Sequence, residues 1–191
     1  TEQLMKILHT ADWHLGQTFY EYDRREEHFH FLEWLKQQIK QHEIDVLLIA
    51  GDVFDSPNPS AESQRVYYRF LREVTSENPS LQIVIIAGNH DSAARLEAPN
   101  PLLEDMNIIV RGTVRRNAEG DIDLQHFIVP LYTEGKVTAY CLAVPYLRQG
   151  DYPSAENYSK GVQQLYEQLF NKVKEKGIPV VAMGHLQATG S

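Results

Sequence analysis

Apolar residues follow two periods along this chain. Unbroken runs of strand length, Val46-Leu47-Leu48-Ile49-Ala50, Ile83-Val84-Ile85-Ile86-Ala87 and Val180-Val181-Ala182-Met183, are bounded by polar or turn residues. Such runs read as strands covered on both faces. Between them, His28, Phe31, Leu32, Leu35 and Ile39 recur at helical spacing, which predicts a helix from about Asp23 to His42, opened by an Asp23/Glu26 capping box. A second helix follows the good N-cap Ser60 and carries Val66, Tyr67, Phe70, Leu71 and Val74 on one face. A third strand is predicted over Gln82 to Ala87.

Asn100-Pro101 reads as an N-cap with Pro at the first helical position, opening a short helix to about Met106. Ile108 to Arg111, His126 to Val129 and Thr138 to Val144 are separated by polar turns and predict antiparallel strands. A last helix carries Val162, Leu165, Tyr166, Leu169, Phe170 and Val173, ends near Gly177, and gives way past Pro179 to the last strand. Strands alternating with helices predict a layered α/β domain.

Composition adds bounds. At 191 residues the chain holds one substantial core, so one domain or a large part of one is expected. No apolar run approaches the roughly 18 residues of a membrane helix, and the first residues lack a signal-peptide layout. The single cysteine, Cys141, excludes an internal disulfide and reads as a small core residue. A cytoplasmic location is the expectation. The net charge of −8 argues against a broad electrostatic nucleic-acid surface.

Four apolar runs end in a small residue followed by groups that bind metals: Leu8 to His14, Leu47 to Asp52, Ile83 to Asp91, and Val180 to His185. Open α/β sheets bind ligands outside the carboxyl ends of their strands. The four clusters are therefore expected at the same edge of one sheet, where Asp12, His14, Asp52, Asn89, His90, Asp91 and His185 would converge. Singly, each has a plainer reading: Asp-x-His is common, Asp52 could cap a turn, residues 88 to 91 could form an Asx turn, and His185 could be a loop histidine. Together they point to a metal site of nitrogen and oxygen ligands, suited to Mn, Zn, Fe or Mg.

The segments His9-Thr10-Ala11-Asp12-Trp13-His14-Leu15-Gly16-Gln17, Ala50-Gly51-Asp52-Val53-Phe54-Asp55 and Ala87-Gly88-Asn89-His90-Asp91-Ser92 resemble the calcineurin-like metallophosphoesterases. Within them, the Asp-Trp-His-Leu-Gly form is similar to the bacterial nuclease subunits of the double-strand-break repair complex. The resemblance implies a sandwich of mixed β-sheets flanked by helices, incomplete at the C-terminus. It implies two divalent ions, Mn2+ first, with Mg2+, Zn2+ or Fe2+ as alternatives. One ion would be held by Asp12, His14 and Asp52, the other by Asp52, Asn89 and His185. His90 would lie beside the scissile phosphate and Asp91 would orient it.

The same resemblance implies a DNA exonuclease and endonuclease, with DNA and an ATPase subunit of the SbcC type as partners. It also implies a homodimer through the helices at 60 to 75 and 101 to 106; Tyr68 and Leu71 on an exposed face would support that interface, with core packing the plainer reading of these residues. The loop Leu15 to Tyr20 and the turn Ser56 to Ser60 would border the DNA. On this expectation residues 1 to 191 are the N-terminal part of the nuclease domain. The family's Gly-His-x-His motif, which would supply one further ligand to each ion, and its C-terminal DNA-binding cap do not occur in this sequence. Two other readings therefore stay open: a phosphodiesterase or phosphatase for a small or cyclic phosphate, and a non-catalytic dimerising fragment.

Overall fold

The computed structural model describes residues 4–187. Its elements are β1 (Ile7–Thr10), a short hairpin of β2 (Thr18–Phe19) and β3 (Tyr22–Asp23), α1 (Arg25–Gln41), β4 (Val46–Ala50), α2 (Ala61–Glu77) and β5 (Gln82–Ile86). There follow α3 (Ala93–Glu97), α4 (Asn100–Leu103), β6 (Ile108–Arg111), β7 (Ile128–Thr133), β8 (Lys136–Ala143), α5 (Tyr158–Val173) and β9 (Val180–Met183).

Two main sheets result. β1, β4, β5 and β6 form a parallel sheet in that order. β7 and β8 pair antiparallel, and β9 joins β8 in parallel. Successive side chains of a strand point to opposite faces, and the burial follows that rule. Leu47, Ile49, Ile83 and Ile85 face one core with α1 and α2, while Val46, Leu48, Ala50, Val84 and Ile86 face the other sheet. From that other sheet, Ala139, Cys141 and Ala143 meet them, and Leu142 and Val144 turn outward to a third core with Leu165 and Leu169 of α5. The layers are thus helices, parallel sheet, mixed sheet, helix. Each fully buried Leu, Ile or Val contributes about 1.5–3 kcal/mol of apolar burial, which explains why the runs Val46–Ala50 and Ile83–Ile86 are the central strands of the parallel sheet; Val180–Met183, expected to be covered on both faces, is instead the partly exposed edge strand β9.

Several expectations change. The four ligand-bearing runs do not share one sheet: β9 lies in the second sheet. The sheets stack with the carboxyl ends of β1, β4, β5 and β9 at a common edge, so the convergence survives. β6 is parallel and belongs to the first sheet, because α4 and the left-handed Asn107 (φ 58°) bring the chain back alongside β5. Asp23 does not cap α1; Arg24 holds that position, and the Asp23 carboxylate instead accepts the Arg25 N–H and pairs with its guanidinium. Asn100 is not a cap either: its amide bonds both the N–H and the C=O of Val110, standing in for a strand neighbour. Ser60 caps α2 as expected, and Ser92 caps the unforeseen α3. Leu71 is fully buried in the core and leaves any exposed face of α2 to the half-buried Tyr68.

Candidate metal centre

Beyond β1 the chain stays hydrogen-bonded in parallel to the loop after β4: Asp12 N–H donates to Gly51 O (3.0 Å), His14 N–H to Asp52 O (3.0 Å) and Leu15 N–H to Val53 O (2.9 Å). Between them Trp13 turns inward. It is nearly buried, stands edge-on to Phe70 at 5.4 Å, and donates from Nε1 to Thr10 Oγ1. Anchoring this ring in the core leaves its neighbours Asp12 and His14 facing out together. Asp12, His14 and Asp52 all take left-handed backbone conformations (φ 56°, 49° and 50°). For non-glycine residues that costs of order 1–3 kcal/mol each, and such strain clusters where a loop is held for a ligand.

Asp52 lies at the centre, almost wholly buried. Its Oδ1 accepts the His90 N–H at 2.9 Å, while Oδ2 sits 3.5 Å from both His14 Nε2 and His185 Nε2. These separations exceed a good hydrogen bond. Each is close to the spacing of two donors on one ion, for metal–ligand bonds near 2.1 Å place neighbouring ligands about 3.0–3.4 Å apart. Two ligand groups emerge, each with atoms within 4.8 Å of one another: His14, Asp52 and His90, and Asp12, Asp52 and His185. Asp52 belongs to both. The expected division put Asp12 with His14, and His14 Nε2 is 3.9 Å from Asp12 Oδ1.

Outer contacts fix which ring nitrogens face the centre. His185 Nδ1 bonds the Ala50 carbonyl (2.9 Å), so it carries the proton and Nε2 presents a lone pair. That lone pair faces Asn89 Oδ1 at 2.9 Å. With the amide set this way, two acceptors face each other, an arrangement that a shared cation relieves. His14 Nδ1 bonds Asp55 Oδ1 (3.0 Å), leaving Nε2 inward. A carboxylate or carbonyl behind a ligating histidine is the usual support of a metal site. The donor set therefore fits divalent ions.

Glycine makes the close approach possible. A Cβ on Gly88 would collide with the carboxylate and N–H of Asp52, and one on Gly51 (φ 92°) with the His185 ring.

His90 is exposed, and its ring stands edge-on to His14 at 5.0 Å. Its pKa is raised, chiefly by the bond from Nδ1 to the Asp55 carbonyl (2.8 Å), with the negative charges of Asp52, Asp55 and Asp91 adding to it against partial burial. A raised value favours the protonated ring. Asp91 does not orient His90. Its buried carboxylate accepts the N–H groups of Gly88 (2.8 Å), Phe54 (3.0 Å) and Val53 (3.2 Å), tying the two ligand loops together. Burial raises its pKa in spite of those three donors. Asp55 is the residue that sequence reasoning missed; it lay within the recognised Asp52-Val53-Phe54-Asp55 segment, but nothing in its spacing marked it.

A family model described as calcineurin-like phosphoesterase matches residues 5–191. The chain belongs to that family. Among the curated proteins to which this calcineurin-like phosphoesterase chain is similar are three that are named as the SbcD component of the nuclease SbcCD. That of Rhodobacter capsulatus is 42% identical over 97% of this chain and 49% of its own length. That of Escherichia coli K12 is 31% identical over 98% and 48%, and that of Bacillus subtilis 42% over 56% and 27%. The chain spans about half the length of the first two. A likeness to the solved nuclease MPE of Pseudomonas putida covers 59% of this chain and 50% of that one, at 23% identity and a TM-score of 0.36, and adds nothing to the assignment.

Proposed function

We propose that this chain is the N-terminal, metal-binding part of an SbcD-type nuclease that hydrolyses DNA phosphodiester bonds with two divalent ions, Mn2+ foremost. The observation that carries the reading is the Asp52 carboxylate standing 3.5 Å from both His14 Nε2 and His185 Nε2, in a family member whose relatives are named as components of a nuclease. Asp12, His14 and Asp52 with Asn89 and His185 would hold the pair, Asp52 shared. Bound there, the ions would polarise the phosphoryl group and lower the pKa of an attacking water.

The remaining work falls to the chain's own groups. His90, fixed through Nδ1 by the Asp55 carbonyl, keeps Nε2 free, and in this reading it would meet the leaving oxygen. Its raised proton affinity suits it to donate a hydrogen bond or a proton to that oxygen. Asp55 holds His14 and, through its backbone, His90, so one residue sets both rings. The acidic site and the net charge of −8 leave much of the grip on DNA to the ions and to a partner. The name of the relatives supports an SbcC-type ATPase as that partner. A homodimer through α2 and the helical segment at 101 to 106 would use Tyr68 and the exposed Leu102 (73% accessible). No helix among the described residues is long and apolar enough to cross a membrane, and a cytoplasmic location is part of the proposal.

The test is a Mn-dependent assay of the full-length protein on duplex DNA, single-stranded DNA and a chromogenic phosphodiester. Cleavage of DNA that disappears in Asp52→Asn is expected. Turnover of the small ester with none of either DNA would overturn the nuclease reading in favour of a small-phosphate esterase.

A further inference from the structure

Behind the ligand loop lies an open cavity of about 550 Å³, bordered by the hairpin β2–β3 and the first turns of α1 and α2. We propose that this cavity binds an unpaired nucleobase beside the metal centre. The inference rests on the nuclease reading for the origin of the base, and on the cavity itself for its chemistry.

The cavity begins one residue from a metal ligand. Leu15 and Gly16, which follow His14 directly, form part of its wall, and its volume lies within the ~300–1,000 Å³ of small-molecule sites. Its lining joins apolar surface, from Leu15, Val66 and Phe29, to hydrogen-bonding groups, from His28, Ser60 and Ser63. His28 is the telling member. Only 9% of it is exposed, and it forms part of the cavity wall. Burial, together with the charge of Arg24, keeps His28 on the neutral side, so the ring offers one donor and one acceptor.

A planar heterocycle with a polar edge meets those demands. Phe29, 57% exposed, gives it a face for stacking. The charges on the wall, Asp23, Glu26 and Glu62 against Arg25 and Arg69, leave no positive excess that would select a phosphate. Surroundings agree: the hairpin whose Thr18 and Asp23 line the cavity displays Phe19, Tyr20 and Tyr22 at 65%, 91% and 59% exposure. Exposed aromatics next to a backbone-binding site are how proteins hold single strands, at about 1–3 kcal/mol per stacked base. The base could belong to a frayed strand end on the metals or to a free nucleotide.

The experiment uses the full-length protein in EDTA, so that binding is read without cleavage. The probes are dAMP, deoxyribose 5-phosphate, and a single strand ending in 2-aminopurine, whose fluorescence is quenched on stacking. dAMP is expected to bind and the baseless sugar phosphate to bind much more weakly. Val66→Trp, which fills the cavity, and His28→Leu, which removes the polar edge, are expected to weaken binding about ten-fold or more, with thermal melting confirming that each is folded. Loss for the strand assigns the base to a DNA end; loss for dAMP alone assigns it to a free nucleotide. Equal binding of dAMP and deoxyribose 5-phosphate overturns the proposal, as does wild-type binding by folded His28→Leu. Failure of DNA cleavage with base binding intact would sink the nuclease reading alone.

Discussion

Replacing Glu97 by Gln tests whether the loop that carries Asn89 and His90 is tied down from behind. Glu97 ends α3, the helix that leaves that loop, and its carboxylate accepts the N–H groups of Gly112 (2.8 Å) and Thr113 (3.0 Å) and the Thr113 hydroxyl (2.7 Å). Burial alone would raise its pKa. The two N–H groups and the hydroxyl, with His126 Nε2 nearby at 3.9 Å but beyond hydrogen-bond reach, outweigh burial and hold it at about 2, against an ordinary 4.5. Its side chain is only 12% exposed, so solvent screening removes little of the effect. That difference corresponds to about 3 kcal/mol near neutral pH. Because the folded value lies below the unfolded one, the contribution is complete above about pH 4.5 and fades as the pH falls toward 2; at pH 3 about 1.4 kcal/mol remains. Glu97→Gln keeps one acceptor oxygen and is expected to cost about 2–3 kcal/mol at pH 7, and about half of that or less at pH 3. Urea unfolding of both proteins at the two pH values measures it. A cost below about 0.5 kcal/mol at pH 7, or one independent of pH, would refute the reasoning.

Gly88→Ala forces a methyl group onto the Asp52 carboxylate; displacement of the shared ligand is expected to lower kcat on a phosphodiester about 100-fold or more, measured alongside far-UV circular dichroism that stays unchanged. Asp55→Ala removes the partner of His14 Nδ1 and should weaken Mn2+ binding about 10–100-fold by calorimetry. Asp91→Ala strands the buried N–H groups of Gly88, Val53 and Phe54; a loss of about 3 kcal/mol or more in denaturant unfolding is expected.

How much was legible in the sequence depended on whether a signal was local. Val46–Ala50 matches its strand to the residue, because a run buried on both faces allows no other register. Ser60 announced α2 because its cap is made within three residues. Asp23 and Asn100 had the right chemistry for caps, yet other partners claimed them: the hairpin positions Asp23 against Arg25, and Val110 takes both ends of the Asn100 amide. Sheet membership of β6 and β9 was likewise hidden, since a short apolar run looks the same in either sheet. The ligand residues stood out because strand ends and metal-binding side chains coincided four times. The bonds from Asp55 to His14 and His90, and from Asp91 to Val53 and Phe54, did not, for they are made across 35 or more residues.

The central claim is that Asp52 belongs to two ion sites at once. Calorimetric titration of the full-length protein with Mn2+, compared with its Asp52→Asn variant, tests it most directly. Two ions per chain in the wild type, with both weakened by the single substitution, is the predicted result; a variant that keeps one site at wild-type affinity would contradict the sharing of Asp52.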